Sequence, residues 1–360
     1  MQRMISFHPV DLRFFDETIG PLIAGGKVNP QPFVDAAMRF RQSEWHARRY
    51  RKRLEQLLAT LEPPPPPSEG SVWTKLRSRL EQFDFKADPR ARRLEGKVEP
   101  ELHLWGRPFL ILESSAERVS ASIEDYLDAE GDASLDALVV QQLLRIDPAL
   151  PAEIEPAQIR ELDAELSYRN ELLETLKSIH SLARTARGGE QGVALAAPGE
   201  LALEQLCREV PWRAVWLHSR AVPFWVARDV DGLETVCHSA GVTPPDVLTP
   251  CWRLFADAIE SFPELRDSLN AELRYDKDLG GFVAPADVPE LSAFLNREGA
   301  RIIQAATREG VGPLCASMLR KIRECAHHAQ RSELGYLEAS GIMPVAYDRE
   351  EDDAETAGVD

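Results

Sequence analysis

Apolar residues after Asn29-Pro30-Gln31-Pro32 recur at alternating intervals of four and three: Phe33, Ala37, Phe40, Ala47, Leu54, Leu58 and Leu61, with Glu44 and Arg51 filling the same rhythm. That rhythm is one face of a long helix. Five consecutive prolines, Pro63 to Pro67, stop it, because they cannot donate backbone hydrogen bonds and favour a stiff extended spacer of about 15 Å. Val72, Trp73, Leu76, Leu80 and Phe83 then predict a short helix over 71–83, followed by an Arg- and Lys-rich loop to Lys97.

The apolar run Pro108 to Leu112 reads as a strand. It leads into Ser114-Ser-Ala-Glu117, where a serine and a glutamate stand at capping-box spacing. Helices are expected over 115–129 and, after Gly131, through Leu135, Leu138, Val139, Leu143 and Ile146. A second long helix runs from Pro156 to Gly188-Gly189, with Ile159, Leu162, Leu166, Arg169, Leu173, Leu176, His180 and Ala183 on one stripe. Two such stripes can pair antiparallel, with Arg51 or Glu44 meeting Arg169 or His180.

Further on, Leu201 to Val210 predicts a helix, and Pro223 to Gly241 another, with a hairpin through Val215 and Val226 as the rival. Thr249-Pro250 opens a helix, Ser261 to Leu273 forms one more, and Asp276 to Gly281 is a turn. Asp287-Val-Pro-Glu290 caps a helix running past Ile302, and Pro313 to Gln330 is the last amphipathic helix. No fixed repeat is visible, which argues against solenoids and propellers. The expected fold is mainly α, a helical bundle-like body with a long N-terminal helix and minor β elements.

Charge sharpens this division. The net charge is −17, yet residues 1–97 hold 18 Lys and Arg against 12 Asp and Glu, a net of +6, leaving −23 for residues 98–360. The expected organisation is a basic helical arm (1–62), a Pro-rich spacer with a short helix and basic loop (63–100), a strand-helix and long-helix region (101–190), a C-terminal helical domain (191–347), and an acidic tail without apolar anchors (348–360), expected to be disordered. No apolar run reaches the roughly 18 residues of a membrane span, and the N-terminus lacks the apolar core of a secretory signal. Five cysteines, Cys207, Cys237, Cys251, Cys315 and Cys325, are an odd set without CxxC spacing and fit reduced thiols. A cytoplasmic protein is expected.

Candidate chemistry is sparse. The basic face of the first long helix, Arg39, Arg41, Arg48, Arg49, Arg51, Lys52 and Arg53 with Trp45 and Tyr50 between them, suits an acidic protein surface or phosphates. No nucleic-acid reading motif accompanies it, so nucleic acid is the less favoured partner. Glu324 and His327 have the i,i+3 spacing of a di-iron or di-manganese ligand pair, and Cys325 and His328 could present sulfur and nitrogen to zinc, but no second ExxH exists.

Trp212, Trp216, His218, Arg220, Trp225 and Arg228, with Phe224, could line a pocket for a flat or anionic ligand. Asp276, Asp278, Gly281 and Asp287 match an EF-hand loop imperfectly. His218-Ser219 and Cys237-His238 are adjacent in sequence only, and Walker A, GxSxG and GxGxxG motifs are absent. The chain is therefore expected to be a non-catalytic interaction or regulatory protein binding another protein through its basic helix. A helical-bundle metal-dependent enzyme acting on a small molecule is the alternative.

Overall fold

The computed structural model describes residues 4–61, 106–154, 162–188, 196–255 and 279–340. The proline spacer, the 71–83 helix, the 261–273 helix, Asp276 and Asp278 of the calcium-loop match, and the acidic tail lie outside them. Strand β1 (Met4–Val10) opens the chain, followed by a short helical run from Leu12–Phe14 through a π turn at Phe15–Ile19 to Gly20–Ile23. Helices α1 (Gln31–Leu61), α2 (Ala116–Asp128), α3 (Gly131–Ile146), α4 (Leu162–Gly188) and α5 (Ala196–His218) follow. Then come β2 (Trp225–Arg228), α6 (Leu233–Ser239), β3 (Thr249–Pro250), β4 (Leu279–Val283), α7 (Val288–Arg308), α8 (Gly312–Arg331) and β5 (Gly335–Ser340). The fold is mainly α, with one small antiparallel sheet in the order β2-β1-β5-β4-β3.

Helix α8 organises the body. Cys315, Met318, Leu319, Ile322, Cys325, Ala326 and Ala329 are buried on it, and so are Lys321, Glu324 and His328. A helix buried on this many sides is central: α8 lies across β1, β2 and β5 and is flanked by α2 and α7. Helix α7 contributes Leu291, Phe294, Leu295 and Ile302 from its apolar face, each worth roughly 1.5–3 kcal/mol when fully buried. Helices α4 and α5 pack on each other, and α1 packs against α2, α3 and α4. Buried apolar residues from Met4 to Ala339 form one continuous cluster. Among the described residues no helix is long and apolar enough to cross a membrane.

The sheet departs from the sequence expectations. All seven residues of β1 are buried, including Ser6 and His8, so the strand shows no in-out alternation. It pairs with β2 from Met4↔Arg228 to Phe7↔Trp225 and with β5 from Ile5↔Ser340 to Val10↔Gly335. Of the helix expected from Pro223 to Gly241 only Leu233–Ser239 is helical, and its hairpin rival does not form: α5 continues through Pro211 to His218, and residues 225–228 pair with the N-terminal strand. Thr249-Pro250 pairs as a two-residue strand, and the helix expected to open there is a 3-10 helix over Cys251–Phe255, while Gly280 and Gly281 lie inside β4 rather than in a turn. Their lack of side chains is what brings β4 close: a Cβ on Gly280 would sit 2.8 Å from Glu338 Cβ, and one on Gly281 would sit 2.3 Å from Leu248 Cδ1. Of the calcium-loop pattern, Gly281 lies in a strand and Asp287 at the start of α7.

Residues 108–112 are not a strand either. Their backbone is buried and bonded to side chains: Tyr126 Oη donates to Leu110 O at 3.0 Å, Gln142 Oε1 accepts from Leu112 N at 3.1 Å, and Arg107 donates to Ile111 O and Glu113 O. Gly106 and Phe109 both have positive φ, 76° and 56°, which a ladder could not accommodate. The cap of α2 is Ser115, which accepts from Arg118 N, rather than Ser114. Asp287 precedes α7 without a side-chain cap bond. Helices α1 and α4 touch near the start of α1, where Arg169 lies 3.9 Å from Asp35 rather than against Glu44 or Arg51.

Candidate functional site

The sequence candidates of the basic helix and of the aromatic group partly converge. On α1, the Arg41 guanidinium lies 4.0 Å from the ring centre of Tyr168 on α4 and 5.9 Å from that of Trp45. Just past the end of α5, Arg220 stacks over Trp216 at 4.4 Å. Tyr168, Glu44, Glu171 and Arg48 all lie within electrostatic reach of Arg220. Three helices thus bring three half-buried guanidinium groups, of Arg41, Arg48 and Arg220, around a buried tyrosine and two tryptophans.

Opposite charge in the cluster is limited. Glu44 pairs with Arg48 at 2.8 Å, one turn along α1, and Glu171 is exposed. Two buried donors, Arg220 Nε and Trp45 Nε1, have no acceptor among the described residues. Desolvation pulls the Arg220 guanidinium below its ordinary value, while Tyr168 and Glu44 oppose it. Burial pushes the Tyr168 phenol up to about 12, so the ring stays neutral and presents a face to Arg41. A low-dielectric floor strengthens the attraction of these guanidinium groups for any anion placed here.

Arg49 and Arg51 of α1 serve the fold. Arg49 donates to His46 Nδ1 at 2.7 Å, which leaves the ring proton on Nε2 for Asp136 at 2.6 Å. Tyr50 donates to the same carboxylate at 2.6 Å, tying α1 to α3. Arg51 donates to Arg107 O at 2.8 Å. The side chains of Lys52 and Arg53 lie outside the described residues.

The other members of the aromatic group stand apart. His218 packs against the rings of both Phe14 and Phe15 and accepts from Asp11 N at 3.0 Å. Burial drives its pKa down to about 4. Trp212 is half-buried, Arg228 is at the end of β2 opposite Met4, and Trp225 faces α8. Sequence reasoning missed His8, whose Nε2 donates to Ser6 Oγ at 2.8 Å because that hydroxyl itself donates to Ala339 O. Burial, then the His218 and Arg220 charges, lowers His8 to about 3, and its Nδ1 has no partner among the described residues. No spacing rule connects residue 8 to residue 218.

The metal candidates are arranged differently from a ligand set. Glu324 accepts from Arg107 through both oxygens, at 2.9 Å for Nε to Oε2 and with Nη2 on Oε1, and Trp225 Nε1 adds a bond to Oε2 at 3.0 Å. His328 Nδ1 meets Ser120 Oγ at 3.0 Å, and burial lowers its pKa to about 4. Cys325 is fully buried, and burial raises its thiol well above the ordinary range. His327 is half-buried on another edge of the helix. The cavity reaching Glu324 is also lined by Arg320 and Arg323, a cationic setting that opposes a divalent ion. Among the described residues no three His, Cys, Asp or Glu side chains converge.

Comparison with known proteins finds no matching family model, no matching curated protein and no matching solved structure.

Proposed function

We propose that this chain is a non-catalytic recognition protein that binds an acidic group of a partner protein through the Arg41, Arg48 and Arg220 cluster on and beside α1. The observation carrying this reading is the gathering of guanidinium groups stacked on Tyr168 and Trp216, beside which Arg220 Nε and Trp45 Nε1 are buried without an acceptor among the described residues. A carboxylate can accept from the half-buried guanidinium groups of Arg41 and Arg220, and planar guanidinium groups held on aromatic faces lose little freedom on meeting it. The free thiols of Cys237, Cys315 and Cys325 support a reducing, cytoplasmic setting for this role.

The test is titration of the full chain with a glutamate-rich peptide and, separately, with single-stranded and duplex DNA of equal charge. Binding of the peptide should weaken with salt and fall about tenfold in the Arg41→Gln, Arg220→Gln double variant. Peptide binding indifferent to both substitutions removes the proposal. Tighter, sequence-independent binding of DNA with a steep salt slope replaces it with a nucleic-acid role.

A further inference from the structure

The stripe on α4 that sequence assigns to a partner helix is, at Leu173, Leu176 and His180, turned toward a cavity of about 300 Å³. Its other wall is the end of the first helical run, with Thr18 and Leu22, and the connection to α1, with Gly26, Val28 and Pro30. The floor is aliphatic, from Leu22, Val28, Leu173 and Leu176. The polar lining comes from Lys27, Lys177 and His180 together with Thr18, and it includes no Asp or Glu among the described residues.

This charge distribution is unexpected in a chain of net charge −17. Lys177 pairs with Glu174 at 2.6 Å, but both side chains are about 70% exposed, at 68% and 70%, so the pair is weak and easily exchanged. Lysine stems lie along apolar surface while their ammonium groups stay at its edge, which sets cationic heads around an apolar hollow. Small-molecule sites have this build: an apolar body with a few convergent polar groups.

We infer that the cavity between α4 and the 18–30 segment binds a small amphipathic anion, with its hydrocarbon body against Leu22, Val28, Leu173 and Leu176 and its carboxylate among Lys27, Lys177 and His180. The site is separate from the Arg220 cluster and does not rest on it. Aliphatic walls, with no Phe, Tyr or Trp among the described lining residues, suit a medium-chain fatty acid better than a flat ring system. Hydrocarbon supplies binding, and the cations choose the head group.

Calorimetric titration of the full chain with octanoate, 1-octanol and octylamine tests this. Octanoate is expected to saturate one site, with 1-octanol about tenfold weaker and octylamine showing no saturable heat. The Lys27→Ala, Lys177→Ala double variant, exposed at both positions, should bring octanoate down to the level of 1-octanol without changing the latter. Leu173→Trp, which fills the hollow, should abolish both, and a circular dichroism melt confirms that it is folded. Absence of saturable octanoate binding, equal affinity for the alcohol, or indifference to both variants overturns the assignment.

Discussion

Arg107 and Glu324, 217 positions apart in the chain, form a bidentate ion pair in which both side chains are buried. The pair alone does not explain why these charges tolerate burial, because desolvating two ions offsets most of their attraction. The surroundings do: the remaining Arg107 Nη1 donates to Ile111 O at 3.1 Å and Glu113 O at 2.9 Å, while Trp225 supplies a further bond to the carboxylate. The arginine therefore replaces a missing sheet partner for the irregular 107–113 segment and pins it to α8 and β2.

Removing one partner should cost more than removing both. Glu324→Leu leaves an uncompensated buried guanidinium and is expected to destabilise the protein by about 3–5 kcal/mol in urea unfolding. Adding Arg107→Leu should recover part of that loss, but not all, because Ile111 O and Glu113 O lose their donor. Additive single-variant effects in the double-mutant cycle would show that the pair is not coupled.

Gly106 occupies a position closed to any other residue. Its φ is +76°, its carbonyl accepts from Val226 N at 2.7 Å, and a Cβ would lie 2.1 Å from Val226 O. Gly106→Ala should cost at least about 1–2 kcal/mol from the left-handed backbone alone, with the clash added to it. A urea midpoint within error of the unsubstituted protein, at unchanged slope, would contradict this.

Stability should rise as pH increases from 4 to 6.5. Burial holds His8 near 3 and His218 and His328 near 4, so each takes up a proton in the unfolded chain, around 6.5, before it does so in the folded one. Their stabilisation is complete above pH 6.5 and is lost as pH falls through 4. Glu338 acts oppositely: burial raises it to about 7, so its contribution is present below pH 4.5 and is lost as pH rises through 7. Three histidines outweigh one carboxyl over the shared range. Glu338→Gln should therefore gain stability relative to the unsubstituted chain between pH 5 and pH 8, and a constant difference across that interval would refute the titration.

Thiol chemistry gives a check on the core. Burial pushes Cys237 up to about 12 and raises Cys315 and Cys325 as well. Iodoacetamide labelling at pH 8, mapped residue by residue, should leave these three unmodified in the native protein and modify them once urea unfolds it. Rapid native labelling of Cys325 would place α8 outside the core.

The helices were legible because their apolar residues keep a 3.6-residue rhythm: Phe33, Ala37, Phe40, Ala47 and Leu54 are all buried on α1, as their spacing predicts. The strands were not. β1 is covered on both faces and contains Ser6, His8 and Pro9, so it offers neither alternation nor a continuous apolar run. β5 follows α8 so closely that Gly335 reads as a helix terminator. The donor cluster was half visible, as Arg41 and Arg48 on one helix and Trp216 with Arg220 on another segment. Tyr168, which joins them, has no local signal and lies on a helix whose stripe points elsewhere.

The central pairing of β1 with β5 has a consequence for biosynthesis. Ile5 and Ser340 are opposite one another, yet about 330 residues separate their emergence from the ribosome, an interval of about 20–60 s at ordinary elongation rates. Its β2 edge can be covered once residues 225–228 have been made, but its β5 edge stays without a partner until the end of that interval. The five-stranded sheet therefore closes only after β5 has been made, and translational stalling in the second half should lower the yield more than stalling in the first.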